Sequence, residues 1–251
     1  MEDYTIKETY TLPSLGKLYG KSVPTKETLR SMTTADEMAR LNNQQNGYKA
    51  ICDMIDNCRI DKDKSISCYD MCLGDYLFLL HKLRVVTYGS DYKMACTCPV
   101  CRVTSTETID LDSLAVNEYT DDMASYFTIE LERCGKTVTL NYQTPRMLDD
   151  INDRIADMKR KTNGKFDRGL AITLQCLIKE IDGKVPNVIE LEEFCQNLPM
   201  KDANRILKAT ERINTAIGLD LDIEVDCGVC GNTYHTTFRQ TGEFFGPSED
   251  F

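Results

Sequence analysis

The stretch YKMACTCPVCRVTSTETIDL, residues 92–111, sets the expectations for the fold of this 251-residue chain. Two runs rich in threonine and alternating in polarity, residues 92–97 and 103–111, flank the motif Cys98-Pro-Val-Cys101. This pattern predicts two strands joined by a tight turn. A second motif of the same kind, Cys227-Gly-Val-Cys230, again lies between strand-like segments. We call each cysteine turn with its two strands a knuckle hairpin.

The two knuckle hairpins together predict a structural metal site. Each Cys-x-x-Cys turn aims two sulfurs at one point, and two turns supply the four thiolates that a tetrahedral zinc ion accepts. We therefore predict one structural Zn²⁺ bound by Cys98, Cys101, Cys227 and Cys230. Neither turn precedes a credible helix, which disfavours a thioredoxin-like redox pair.

The two cysteine pairs are separated by 125 residues. Closing a loop of that length costs roughly 4 kcal/mol, against roughly 10–16 kcal/mol for structural zinc binding at neutral pH. Zinc would therefore fasten the end of the chain to its middle. Gly231 after the last cysteine suits a left-handed backbone, and Arg102 stands at the matching place in the first knuckle hairpin.

Alternatives to this ligand set stay open. The four thiols could be buried or redox-active cysteines without metal, and Cys96 could replace Cys98 as a ligand. His235 follows Cys230 by five residues and is expected to be an exposed strand residue. Cys52, Cys58, Cys68 and Cys72 fall within 21 residues, with Cys68 and Cys72 expected on one helix face. They could form a second metal site or a disulfide, or pack as small buried thiols.

The charge balance of the chain limits the classes of partner. There are 30 Lys and Arg against 40 Asp and Glu, for a formal charge of −10. This charge disfavours generic binding to nucleic acid or to an anionic membrane. The longest apolar run, residues 76–80, is far too short to span a bilayer, and the first residues lack the features of an export signal.

The sequence lacks the usual signatures of catalysis. It has two histidines, and none of the strings H-E-x-x-H, G-x-x-x-x-G-K-[ST] or G-x-S-x-G occurs in it. We therefore expect no enzymatic activity and assign no catalytic residue. His81 lies within a helical pattern and is expected at the surface or at a cap, and Asp149, Asp150 and Asp153 are expected as solvated carboxylates near a helix start.

The predicted fold class is α+β: an N-terminal extended arm and helical layer, then a zinc-ribbon-like pair of knuckle hairpins with an inserted α+β segment. Thr34 and Glu37 have the spacing of a capping box, and Gly89 is a natural helix stop. The inserted segment reads as one hairpin and four helices, at 146–161, 167–181, 191–197 and 201–217. The expected divisions are the arm (1–32), the helical region (33–90), the zinc-clasped α+β lobe (91–240) and a C-terminal tail (241–251).

Several spaced motifs occur in one order along nearly the whole chain. They are LPSLGKLY (12–19), SMTTADE (31–37), LGDYLFLLHKLRVVTYG (73–89), CPVC (98–101), DLDSL (110–114), CGVC (227–230) and FFGPS (244–248). With these motifs the chain resembles the baseplate hub proteins of T-even-like contractile-tailed bacteriophages. The one departure is Arg102, where glycine often follows the knuckle.

The resemblance implies a non-enzymatic structural or assembly component of the tail baseplate hub, stabilised by structural zinc. It implies a location in the virion after assembly in the host cytoplasm, with other baseplate or hub proteins as partners and several copies in a symmetric assembly. The residues expected to contact a partner are Leu12, Pro13, Leu18, Tyr19, Phe244 and Phe245. The alternatives are packing of both ends on the protein's own core and, for function, a zinc-ribbon nucleic-acid-binding or transcription-associated adaptor.

Overall fold

The computed structural model of the chain describes residues 4–20, 23–42, 47–61, 65–163, 167–239 and 244–245. The predicted α+β class is confirmed, with helices and small antiparallel sheets. The α-helices are α1 (Thr34–Asn42), α2 (Tyr48–Cys58), α3 (Leu73–Tyr88), α4 (Pro145–Thr162), α5 (Gly169–Leu177), α6 (Val188–Asn197) and α7 (Met200–Ala216). The strands are β1 (Lys7–Thr11), β2 (Lys26–Arg30), β3 (Asp91–Thr97), β4 (Thr104–Asp110), β5 (Val116–Asn117), β6 (Thr128–Leu131), β7 (Lys136–Leu140), β8 (Ile178–Ile181), β9 (Gly218–Leu219), β10 (Asp222–Asp226) and β11 (Thr233–Thr237).

The N-terminal segment is a hairpin and not the extended arm expected from its sequence. Strands β1 and β2 pair antiparallel, and Leu29 is fully buried. A buried ion pair attaches β2 to the end of α2, because Arg59 donates to Glu27 with an Nη2–Oε1 distance of 2.7 Å. Each strand has only five residues, too few to establish a period, so the sequence pattern does not indicate strands here.

The N-terminus of α1 is capped one residue earlier than the sequence predicted. The Asp36 amide donates to the Thr33 hydroxyl at 3.4 Å, and the Thr33 amide donates to the Asp36 carboxylate at 2.8 Å. Asp36 also accepts from Arg30 of β2. The predicted capping residue Glu37 instead pairs with Arg40 on the helix surface. The ion pair with Arg30 explains why Thr33 and Asp36 form the cap in place of the predicted Thr34 and Glu37.

Helix α3 is the centre of the first hydrophobic cluster. It is buried around most of its circumference, including Phe78, Leu79 and Leu83, as expected for a helix that is apolar on all sides. The N-terminal hairpin, α2 and both knuckle hairpins contribute residues to the same cluster. Arg84 is also buried and donates to the carbonyl oxygens of Gly89 and Asp91, so it stabilises the C-terminal end of the helix.

The segment inserted between the knuckle hairpins has a second cluster of its own. Strands β6, β7 and β8 form a sheet, and helices α5 and α7 cover it with residues such as Leu177 and Ile206. The helix predicted at 167–181 is wrong in its last part, because α5 ends at Leu177 and Ile178–Ile181 is β8. Pairing with β7 satisfies the backbone groups of these residues, a tertiary effect that overrides the helical pattern.

The two ends of the inserted segment lie next to each other beside the first hydrophobic cluster. Strands β5 and β9 pair antiparallel, with Val116 opposite Leu219. Gly74 of α3 packs directly on this junction, where a Cβ atom would lie 2.3 Å from the Ile217 carbonyl oxygen. Only glycine allows this approach of helix and strand.

The four predicted divisions remain a prediction, and Phe244 and Phe245 are the tail residues within the described part of the chain.

Candidate metal centre

The two knuckle hairpins have the same turn geometry. Strands β3 and β4 carry the first turn, and β10 and β11 carry the second. In each turn the residue after the second cysteine donates its amide to the carbonyl of the first, at 2.9 Å from Arg102 and 2.8 Å from Gly231. Both residues are left-handed, with φ of 61° for Arg102 and 69° for Gly231. Arg102 therefore takes the conformation that glycine usually supplies, at a cost of about 1 kcal/mol.

The turns bring the four predicted sulfur atoms together. All four lie within 4.8 Å of one another, with Cys98 and Cys230 3.7 Å apart and Cys101 and Cys227 3.6 Å apart. A tetrahedral site with metal–sulfur bonds of about 2.3 Å has sulfur–sulfur edges of about 3.8 Å. The donor set and its spacing therefore fit a tetrahedral thiolate-bound metal ion.

The amides of each turn favour thiolate on the first cysteine. Hydrogen bonds from the backbone amides of Cys230 and Val229 lower the pKa of Cys227 to about 7. The amide of Cys101, followed by that of Val100, lowers the pKa of Cys98. These two sulfurs are therefore the more readily deprotonated pair, which favours metal binding near neutral pH.

The second cysteine of each turn behaves in the opposite way. The pKa of Cys101 is raised to about 12, although the Val103 amide opposes the shift, because burial and the hydrogen bond to Cys227 favour the neutral thiol. The pKa of Cys230 is raised as well: the Asn232 amide opposes the shift, and burial and the hydrogen bonds to Cys227 and Cys98 favour the thiol. In each close sulfur pair, one cysteine has a raised pKa and favours the thiol, while the other has a lowered pKa and favours the thiolate. A cation at the common centre would displace the two remaining protons.

Nearby candidate ligands lie outside this cluster. Cys96 is buried and its thiol faces the Met94 carbonyl at 3.8 Å, because strand alternation turns it toward the core. His235 is exposed, as predicted, and its Nδ1 lies 3.2 Å from Asp222. Groups of three or more His, Cys, Asp or Glu side chains can share a metal ion when their ligand atoms lie close together. Within the described part of the chain, the four knuckle cysteines are the one group that meets this condition.

Two sequence expectations about other polar residues are wrong. Cys68 lies in a 3-10 turn and Cys72 precedes the first residue of α3, so the two do not share a helix face. Asp149 is not simply solvated, because its carboxylate accepts from the amides of Tyr48 and Lys49 at 3.1 and 3.0 Å. It therefore caps the N-terminus of α2 from a distant part of the chain.

His81 is buried, contrary to the expected surface or capping role. Its Nδ1 lies 2.8 Å from the Leu77 carbonyl, and its Nε2 is buried without a hydrogen-bond partner among the described residues. Burial lowers the pKa of His81 to about 4. The rings of Phe238 and Phe244 pack against it, with centroids 5.3 and 5.1 Å away. The imidazole is therefore a neutral core residue.

The four N-terminal residues expected to bind a partner are all at least half-buried in the chain itself. Leu12 and Pro13 are buried and Leu18 is half-buried. The half-buried Tyr19 donates its hydroxyl to the carboxylate of Asp75. The partner-binding assignment of these four residues stays a prediction, and Leu12 and Pro13 are covered by the protein's own core.

Asp75 is the centre of a polar network that joins the N-terminal hairpin to α3. Its carboxylate is fully buried and accepts from the Ser14 amide at 2.9 Å, from the Ser14 hydroxyl and from Tyr19. Burial raises the pKa of Asp75 although these donors oppose the shift. The motif LPSLGKLY therefore holds a buried carboxylate, a contact that no local sequence pattern indicates.

The aromatic residues of the C-terminus also lie on the chain itself. Phe244 is 4% exposed and packs on His81, Tyr92 and Phe238. Phe245 is half-buried beside Phe244. Their assignment as partner contacts stays a prediction, and Phe244 is available to a partner only if it leaves this core.

Residues 4–246 match the model of a protein family described as T4 bacteriophage base plate protein. No curated protein and no solved structure matches the chain. Among the described residues, none of the helices combines the length and apolar character required to cross a membrane.

Proposed function

The chain belongs to the T4 bacteriophage base plate protein family, and we propose from this premise that it is a non-enzymatic structural or assembly component of the baseplate hub. The observation that carries the proposal is the family match over residues 4–246, nearly the whole chain. A baseplate protein associates with other baseplate proteins in the virion tail. We further propose that it takes part in several copies in a symmetric assembly formed in the host cytoplasm.

The proposed cofactor is one structural zinc ion held by the four knuckle cysteines. The supporting observations are the sulfur spacing and the amide hydrogen bonds that favour thiolate on Cys98 and Cys227. Zinc bound by four thiolates is coordinatively closed, so it supplies structure and offers no open position to a substrate. The residues of the two turns would hold the knuckle hairpins in one fixed orientation.

The surface of the second knuckle hairpin supports the baseplate role over the nucleic-acid-binding alternative. The exposed side chains of β10 include Asp222, Glu224 and Asp226, and the exposed side chains of β11 include no Lys or Arg. A nucleic-acid interface needs a basic surface, because phosphate contacts supply most of its affinity. These strands carry the opposite charge.

The proposal is tested by measuring location and metal content separately. Mass spectrometry of gradient-purified tails should detect the chain in a fixed ratio to other baseplate proteins, and elemental analysis should find about one zinc per purified chain. If the chain occurs neither in tails nor in baseplate assembly intermediates, the baseplate role is wrong. Submicromolar, salt-sensitive binding to DNA or RNA in a filter assay would favour the adaptor alternative.

A further inference from the structure

A groove lies between strand β4 of the first knuckle hairpin and strand β10 of the second. At its base the chain segments are paired, because β5 and β9 form a ladder and the Asp220 amide donates to the Ala115 carbonyl at 2.8 Å. Beyond this point β4 pairs with β3 and β10 pairs with β11. The space between them has a volume of about 360 Å³ and is lined by residues 108–110 of β4 and 222–224 of β10, among others. We call this space the acidic groove.

Among the described residues that line the acidic groove, four are carboxylates and none is Lys or Arg. They are Asp110, Asp220, Asp222 and Glu224. The side chains of Asp222 and Glu224 are 60% and 66% exposed, and the exposed His235 lies beside both of them. Four like charges in one concave surface are mutually repulsive, and a bound cationic group would relieve that repulsion.

The strands on either side of the acidic groove have unpaired edges. In the described part of the chain β4 has no strand partner besides β3, and β10 has none besides β11. An edge strand presents free backbone amides and carbonyls to which an extended peptide can add. The floor between the strands is partly apolar, with Ile109, Leu114 and Ile223 in the lining. The groove therefore suits an extended segment better than a single ion.

We propose that the acidic groove binds an extended segment rich in Lys and Arg from a neighbouring baseplate protein, an inference that rests on the proposed function. The segment lies between β4 and β10, its basic side chains meet the four carboxylates, and its backbone bonds to a strand edge. Charge complementarity selects the partner, and the metal-bound turns hold the two walls at a fixed separation.

The test uses the full chain and a fluorescein-labelled peptide of alternating Lys and Val, with a Glu–Val peptide as the opposite-charge probe. Binding is measured by fluorescence anisotropy at low salt. The double variant Asp222→Asn, Glu224→Gln removes two exposed carboxylates whose side chains accept no backbone hydrogen bond among those described. The matched control Glu193→Gln, Glu211→Gln removes the same charge from exposed positions on α6 and α7.

We expect the Lys–Val peptide to bind and the Glu–Val peptide not to bind. The groove variant should weaken binding about fivefold, as expected for the loss of two exposed ion pairs, while the control variant changes it less than about 1.5-fold. Equal weakening by both variants would mean that only the net charge of −10 attracts the peptide, and it would overturn the proposal. Tight binding of Ca²⁺ lost in the groove variant would also overturn it, in favour of a metal site.

Two further measurements separate this proposal from the others. Unchanged thermal melting and metal content in the groove variant would show that any loss of peptide binding is local. Detection of the chain in purified tails together with absence of peptide binding would reject the groove proposal and leave the baseplate role intact. A groove variant that still assembles into tails at the wild-type ratio would also count against the groove as a baseplate contact.

Discussion

Replacing Cys227 with serine is the most direct test of the metal centre. Serine removes one of four ligands and leaves the side-chain volume nearly unchanged, so we expect bound zinc to fall from about one equivalent to a small fraction of that. The sulfur of Cys227 lies 3.6 Å from that of Cys101, so its loss also breaks the contact between the two turns.

The loss of stability depends on which other contacts already join the two cysteine turns. The 125 residues between the cysteine pairs would cost about 4 kcal/mol of closure entropy if the metal acted alone. Pairing of Val116 with Leu219 already joins the ends of the inserted segment, so the metal closes a path of about 20 residues, at about 3 kcal/mol. The fold therefore does not depend on the metal alone, and the variant should still fold.

We expect the variant to lose about 4 kcal/mol of stability, the linkage contribution of a metal present at about a thousand times its dissociation constant. For a chain of this size that corresponds to a Tm lower by roughly 8–16 °C. The assay is thermal melting by circular dichroism with elemental analysis of each sample. Chelator should lower the Tm of the wild type and have no further effect on the Cys227→Ser variant.

The control is Cys96→Ser, which changes a buried cysteine near the turn but outside the sulfur cluster. It should retain its zinc and its response to chelator. The reasoning would be refuted by a Cys227→Ser protein with wild-type metal content and Tm, or by equal loss of metal in both variants.

Three further changes test the packing that surrounds the site. Gly74→Ala places a Cβ atom 2.3 Å from the Ile217 carbonyl oxygen, so urea unfolding should show a loss of about 2 kcal/mol or more. Asp36→Ala should cost about 1 kcal/mol of stability at pH 7 by removing a helix cap. The hydrogen bond from Arg30 lowers the pKa of Asp36 from 3.8 to about 2. The stability that the Asp36 carboxylate contributes is therefore present above pH 4 and is lost as the pH falls toward 2. Phe244→Ala opens a cavity in an aromatic cluster and should cost about 3 kcal/mol in the isolated protein, measured by thermal melting.

Gly74→Ala has a matched control variant, and the other two substitutions each have an outcome that would contradict the expectation. Gly228→Ala should be neutral, since a Cβ atom there would meet nothing within 4 Å. The pH effect is contradicted if Asp36→Ala and wild type differ equally at pH 7 and pH 2. Wild-type stability in Phe244→Ala would mean that Phe244 contributes little to this core, which would favour its role as a partner contact.

The cluster of four cysteines could be predicted from sequence because its parts are local. A Cys-x-x-Cys turn specifies its own geometry over six residues, and thiolate chemistry identifies the ligand class. The sequence also predicted the strands on either side of each turn and helices within a few residues of their observed bounds. It missed β8, because Ile178–Ile181 directly follows a helical pattern and four residues are too few to establish a strand period.

The roles of the N-terminal motif and of Asp149 could not be predicted in this way. Asp75 accepts from Ser14, 61 positions away in the chain, and Asp149 caps Lys49 across 100 positions. Each residue has an ordinary local context, so nothing in its neighbourhood indicates the distant donor. From sequence, the motif was compatible both with a partner contact and with packing on the protein's own core, and the structure shows its bonds from Ser14 and Tyr19 to Asp75 of α3.

The sequence by itself determined the class of the fold, the four clustered cysteines and the acidic character of the chain, since these depend on short-range spacing and composition. Only the tertiary structure decided which hydrophobic residues are covered, which carboxylates are buried and where the acidic groove lies. The physical reason is that burial and pairing depend on which surfaces meet, and here those surfaces come from segments a hundred residues apart.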